Sequence, residues 1–318
     1  MKPFLLKAPI KDYIWGGTKL REMFGKESDG ERLAESWELS CHPDGESIIA
    51  SGEFKDMKLS EMLEKHPEAM GKNCKKFSGF PVLVKLIDAK NDLSVQVHPC
   101  DEYARKYEND NGKTEMWYII DAEPNAELVY GFKEKITKEE FRKAIEENTL
   151  MDKVNRVPVK KGDVFFIEPG TLHAIGKGIL IAEIQQSSNV TYRVYDYGRL
   201  GADGKPRQLH IEKALEVTNT EPLDHNRPIY GMELDGAVVQ LLAECEYFNV
   251  NRERIIKEVQ LSTDDNSFAH VLVIGGSGEL CADGCNIPLS MGASVFVPAG
   301  VGSYVIKGNC DVIITTIP

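Results

Sequence analysis

Most of this chain reads as short apolar runs of strand length, punctuated by Gly, Pro, Asn and Asp. That pattern predicts strands over 82–87, 93–97, 116–120, 126–130, 162–167 and 179–184. Three stretches have helical spacing instead. Over 60–70, Met62 and Leu63 lead, Ser60 can cap and Pro67 limits the length. Over 137–148, Thr137 is the N-cap, Glu140 stands at the capping-box position, and Phe141, Ala144 and Ile145 form the buried stripe. A third helix is predicted around 211–217. A polar, proline-bounded connector at 221–228 then breaks the pattern, and short strands follow closely at 248–252, 258–261, 268–274, 278–281, 293–297, 303–306 and 312–315. Such a series predicts a small antiparallel barrel or jelly roll. Its Val297-Pro298-Ala299-Gly300, five residues after Gly292, echoes Ile167-Glu168-Pro169-Gly170, five after Gly162, so two copies of one module are expected. The glycine run Gly275-Gly276-Ser277-Gly278 predicts a tight hairpin.

The 318 residues suffice for one large domain or two ordinary ones. The division expected is 1–230, with helical insertions, and 231–318. A net charge of −12 argues against a nucleic-acid partner, which needs a basic surface, but leaves room for a small anion held by a local Arg/Lys pocket. No apolar run reaches membrane-spanning length, and the first ten residues lack a signal-peptide core. The seven cysteines are scattered without a Cys-x-x-Cys pair, which points to reduced thiols and a cytoplasmic location.

The chemistry is concentrated at three places. Gln96 and His98 stand two apart in an apolar strand, so both project to one side of it. Glu115 opens the next apolar run, and His173 follows the turn Pro169-Gly170-Thr171-Leu172. Imidazole nitrogens and a carboxylate are donors for a borderline divalent metal such as zinc. Each residue alone is equally well read as an ordinary hydrogen-bonded strand residue, so spacing alone leaves the metal open. His42, His66, His210 and His225 read as structural or exposed, and the C-terminal region offers only His270, so no second metal is expected there.

Val-Gln-Val-His-Pro over 95–99, Lys-Thr-Glu-Met-Trp-Tyr over 113–118, Pro-Gly-Thr-Leu-His-Ala over 169–174 and Thr-Tyr-Arg-Val-Tyr-Asp-Tyr-Gly-Arg over 191–199 together resemble type I mannose-6-phosphate isomerase. Ile14-Trp15-Gly16-Gly17 and Glu38 also fit the short, two-cupin bacterial form. The resemblance runs over nearly the whole chain. It implies a mainly β fold of two cupin (jelly-roll) domains, the second without metal. It also implies one Zn2+ per chain and interconversion of mannose 6-phosphate and fructose 6-phosphate through an enediol(ate). Carried over by position, the zinc ligands are Gln96, His98, Glu115 and His173, the catalytic arginine is Arg193, and Lys113 handles substrate. A sugar phosphate would be the only small-molecule partner, with the protein a monomer or homodimer.

Isomerisation needs a stabiliser of developing oxyanion charge and a base. Arg193 offers a permanently charged fork of donors; its competing role is an ion pair with Asp196. Glu183, in an otherwise apolar strand, would have a raised pKa if buried and unpaired, as suits a proton shuttle. A metal-bound hydroxide and a released His98 or His173 are further candidates for the base. Trp15, Trp37 and Tyr197 are candidate pocket walls or plain core. Two competing readings are a cupin oxygenase with a two-histidine, one-carboxylate iron site, and a non-catalytic sugar sensor.

Overall fold

The strand Ile179–Gln186 is buried at every position, as is Val82–Ala89 beside it. Neither can show the polar-out alternation of a half-exposed strand, because both faces of their sheet are covered. The computed structural model, which describes residues 1–201, 204–224 and 229–318, shows what covers them. His225 lies outside the described residues.

The central sheet has six strands in the order Val164–Ile167, Glu115–Ala122, Ile179–Gln186, Val82–Ala89, Glu35–Leu39 and Ile10–Lys11, all antiparallel. On one face lies a five-stranded antiparallel sheet: Tyr192–Tyr195, Val95–Val97, His173–Ala174, Glu127–Phe132 and Val154–Pro158. Ile119, Ile181, Leu128, Tyr130 and Phe165 pack between these two sheets. On the other face Leu180, Ala182 and Ile184 share a core with Phe296 of a ten-stranded sheet and with Phe248 and Phe268, which lead into two of its strands. That third sheet holds the strands from Tyr230 onward, together with the N-terminal Phe4–Lys7 and Ile48–Ile49. The outer face of the five-stranded sheet is covered by helices Lys138–Glu146 and Ile211–Val217, whose Phe141, Ala144, Ile145, Ala214 and Leu215 are buried. The molecule is therefore mainly β, a pair of jelly-roll units with helical insertions, in which the sheets stack face to face and do not close into barrels.

The helix at Lys138–Glu146 has the predicted capping box: Thr137 Oγ1 accepts from the Glu140 N–H, and the Glu140 carboxylate accepts from the Thr137 N–H. Ile211–Val217 is also helical as expected. The first helix starts earlier than Ser60 implies. It spans Leu59–Lys65, and Ser60 Oγ donates to the Glu46 carboxylate rather than capping. Pro67 does end it, opening the 3-10 turn Pro67–Met70. Helices Lys19–Phe24 and Asp101–Tyr107 were not signalled by periodicity, each being too short to display two turns of an apolar stripe.

The glycine run 275–278 is not a hairpin. It lies inside the continuous strand Ala269–Ala282, with a register shift between Val273 and Gly275 against Gly302–Thr316. Gly276 has φ +70°, and a Cβ there would stand 2.1 Å from the Asn309 carbonyl oxygen. Close backbone approach at a bulge, not a turn, is what requires glycine here.

Candidate metal centre

Strand register places the site. In the five-stranded sheet Arg193 pairs with Gln96 and Gln96 with His173, one row across three neighbouring strands. Their sequence neighbours Val95, Val97, Tyr192, Val194 and Ala174 pack on the helical side, so the row faces the central sheet. There, Trp117 pairs with Glu183 and Glu183 with Lys85, while Lys85 pairs with Trp37. Two rows of functional side chains thus oppose each other across the gap between the sheets. The cavity between them, about 310 Å³, is lined by Gln96, Lys113, His173, Lys85, Glu183, Arg193 and Arg207 among others.

Donor atoms of His98, Glu115 and His173, all fully buried, lie within 4.8 Å of one another. His98 Nδ1 is 2.8 Å from the Val190 carbonyl and His173 Nδ1 is 2.9 Å from the Thr171 carbonyl. These bonds require Nδ1–H to donate, which leaves each Nε2 lone pair facing inward. Burial lowers the pKa of both imidazoles, His98 to about 3 with help from the nearby Lys113 ammonium. Both are neutral at physiological pH, the form that can bind a metal. Glu115 Oε1 lies 2.5 Å from Lys113 Nζ and 3.0 Å from His98 Nε2, yet neither contact has hydrogen-bond geometry, and His173 Nε2 has no hydrogen-bond partner. Burial would raise the Glu115 carboxyl, but Lys113 and the two imidazoles outweigh it and hold the pKa well below the usual range. Two inward lone pairs and an ionised, under-satisfied carboxylate in a dry site fit a divalent cation.

Gln96 lines the cavity beside His173, with a long 3.5 Å contact to Ser94 Oγ. Arg193 donates through Nε to Ser94 Oγ (3.2 Å) and through Nη1 to the Gln208 carbonyl (3.0 Å). No Arg193–Asp196 ion pair forms; Asp196 takes Arg199 and Arg207 instead. Glu183 accepts from Trp117 Nε1 at 3.0 Å and lies 3.1 Å from Lys85 Nζ. Burial and the Glu115 charge raise its pKa. Lys85 is fully buried as well; burial opposes its charge, but Glu183 and Glu35 (3.7 Å) outweigh that and keep it protonated. Lys85 and Glu35 were missed from sequence, since a single Lys inside an apolar run reads as strand and nothing local marks its partners. Of the aromatic candidates Trp15 lines the cavity, whereas Trp37 donates Nε1–H to Glu35 and Tyr197 meets Tyr195 edge to face. His210 is structural, its Nδ1 accepting from the Arg193 N–H.

Fold and centre together define a two-cupin protein with a buried two-histidine, one-carboxylate site. Residues 4–135 match the family model for the phosphomannose isomerase type I catalytic domain, and residues 239–317 that for the mannose-6-phosphate isomerase cupin domain. The chain is 38% identical over 315 residues to the mannose-6-phosphate isomerase ManA of Bacillus subtilis, covering 99% of this chain and 98% of that one. It superposes on the crystal structure of the mannose 6-phosphate isomerase from Bacillus subtilis with a TM-score of 0.93 at 38% identity, covering 99% of both chains. A mannose 6-phosphate isomerase structure bound with zinc and yttrium shares the fold at 17% identity, with a TM-score of 0.80 and 99% of both chains covered. The chain belongs to the type I phosphomannose isomerase family.

Proposed function

We propose that this chain is a zinc-dependent aldose–ketose isomerase that interconverts mannose 6-phosphate and fructose 6-phosphate through an enediol(ate). Residues 1–230 form its catalytic unit and 231–318 a metal-free cupin. One Zn2+ per chain would be held by His98, Glu115 and His173, with Gln96 as the fourth ligand. When bound, the ion supplies Lewis acidity toward the oxygens on C1 and C2. The observation that supports the reading is the pair of opposed rows, with Gln96, His173, Arg193 and the buried Glu183 on one cavity and no carboxylate within ion-pair distance of Arg193 among the described residues.

Glu183 is the proton carrier between C1 and C2. Its raised pKa and its contact with Lys85 let it exist in both protonation states on the buried wall of the cavity. Lys85 balances the charge when Glu183 ionises. Arg193, with Nη2 unengaged among the described residues, orients the sugar and stabilises the enediolate oxygen. Lys113, beside Glu115, donates to a substrate oxygen. The seven scattered free thiols support placement in a reducing compartment, the cytoplasm.

A coupled isomerase assay tests this. Activity should vanish on chelation, return with added zinc, and fall about 100-fold or more in Arg193→Ala. Full activity in the metal-free protein, or none in the zinc-loaded one, would remove the reading. Iron restoring an oxygen-consuming reaction would favour the oxygenase instead.

A further inference from the structure

We infer that Trp117 is a positioning residue whose single indole N–H, shared between Glu115 and Glu183, ties the carboxylate of the metal centre to the carboxylate that carries the proton. The inference deepens the isomerase reading above and rests on it. Trp117 Nε1 lies 3.0 Å from Glu115 Oε2 and 3.0 Å from Glu183 Oε1, and both contacts have hydrogen-bond geometry. One proton cannot point at two oxygens at once, so each half of this three-centre bond is weaker than a linear bond. The ring is 1% exposed, stands on the cavity wall and meets His173 edge to face, with centroids 5.3 Å apart. Trp117 therefore touches two of the candidate metal donors and the proton carrier together.

The same sheet offers an internal comparison. Glu35-Ser36-Trp37 repeats the pattern of Glu115-Met116-Trp117. In both, the period of two puts glutamate and tryptophan on one face of the strand, and the indole N–H reaches back to the carboxylate. The two tryptophans end one row, Trp37, Lys85, Glu183 and Trp117, across four strands. Their neighbours differ. Beside Trp37 stands the Lys85 ammonium, 5.2 Å from the ring centroid and no acceptor, and the bond to Glu35 is 2.7 Å. Beside Trp117 stands Glu183, a second acceptor, and the bond to Glu115 is 3.0 Å. The bond is tight where the N–H has one acceptor and stretched where it has two. Sharing makes the hold on Glu183 depend on Glu115. A cation engaging the Glu115 carboxylate draws charge from Oε2 and makes it the poorer acceptor, so the N–H turns toward Glu183 Oε1. Glu183 is then fixed by a full hydrogen bond on that side, with Lys85 Nζ 3.1 Å from its other oxygen.

The test follows the indole N–H resonances of the full chain, which has three tryptophans, after isotope labelling of tryptophan. The Trp117 signal is assigned by its loss in Trp117→Phe or, by elimination, with Trp15→Phe and Trp37→Phe. Zinc is added to the chelated protein and its uptake counted separately by metal analysis. The Trp117 resonance should move downfield several times farther than that of Trp37. In Glu183→Gln, whose neutral amide is a poorer acceptor, the movement should shrink to less than half. Trp117→Phe should keep wild-type bound zinc and a KM near that of the wild type while kcat falls about 10-fold. A Trp117 resonance that stays put on protein shown to have taken up zinc would overturn the inference. So would an equal movement in Glu183→Gln, or an unchanged kcat in Trp117→Phe. If the zinc-loaded wild type isomerises nothing, the functional reading has failed; the resonance still judges whether the two carboxylates share the donor.

Discussion

Two buried glutamates show how environment decides the work a carboxyl can do. Glu183 sits 3.1 Å from Lys85 on the cavity wall, where its raised pKa suits proton transfer. Glu183→Gln keeps shape and hydrogen bonding but cannot carry a proton, so kcat should drop by about 100-fold or more while bound zinc per chain stays at the wild-type level. An unchanged kcat would move the base elsewhere. Glu253 has no such partner. It is 4% exposed, stands between Val239 and Val312 in the C-terminal sheet, and its Oε2 has no hydrogen bond. Burial alone raises its pKa from 4.5 to about 7. Below pH 4.5 the group is protonated folded or unfolded and costs nothing. As pH climbs toward 7 the unfolded chain ionises while the folded one holds its proton, so stability declines, levelling off above about 7 at a loss of at most about 3 kcal/mol. Glu253→Gln should flatten that part of the stability–pH curve, measured by thermal melts from pH 4 to 8. Parallel curves for the two proteins would show that the carboxyl titrates normally.

At the scale of elements, the candidate metal donors depend on turns as much as on strands. Gly170, in the turn that delivers His173, has φ +86°, donates its N–H to the His98 carbonyl at 2.8 Å, and would place a Cβ 2.8 Å from the Val217 carbonyl oxygen. Gly170→Ala therefore meets both backbone strain and a backbone clash. It should cost about 1–3 kcal/mol in urea unfolding and weaken zinc retention against a chelator. Retention equal to wild type would mean the turn can shift without moving His173. Part of this was readable in advance. Period two put Gln96 and His98 on one side of their strand, and the capping box at Thr137 was legible because its signal is local. Lys85, Glu35 and Glu183 were not legible as a group. They meet only through pairing of strands that lie from about 50 to about 150 residues apart, and no local rule specifies that register. The run 275–278 misled for a related reason, since glycine serves a turn and a close backbone approach equally well.

Across the whole molecule, the catalytic sheets and the C-terminal sheet are bound through a shared core and a buried polar joint. The N-terminal strand Phe4–Lys7 pairs with Ser294–Val297, so the first residues of the chain complete the last sheet. Beside that seam Lys26 Nζ meets the fully buried Glu38 carboxylate at 2.7 Å and also donates to the Gly292 carbonyl. Ser36 Oγ donates to Glu38 Oε1 at 2.6 Å, and Ser294 Oγ links the Glu38 carbonyl to buried His270. Glu38, which the family resemblance flags, thus sits at the joint rather than at the metal. Lys26→Met would leave that carboxylate buried with one hydroxyl for company, at a cost of about 3–5 kcal/mol. The paired change Lys26→Met with Glu38→Leu should recover most of the loss, because it removes the stranded charge along with its partner. Both proteins should still bind zinc and unfold in one transition, since the seam couples all three sheets. If calorimetry instead resolves two transitions in the wild type, the sheets unfold independently, and the joint serves to set their relative position rather than to unite their stability.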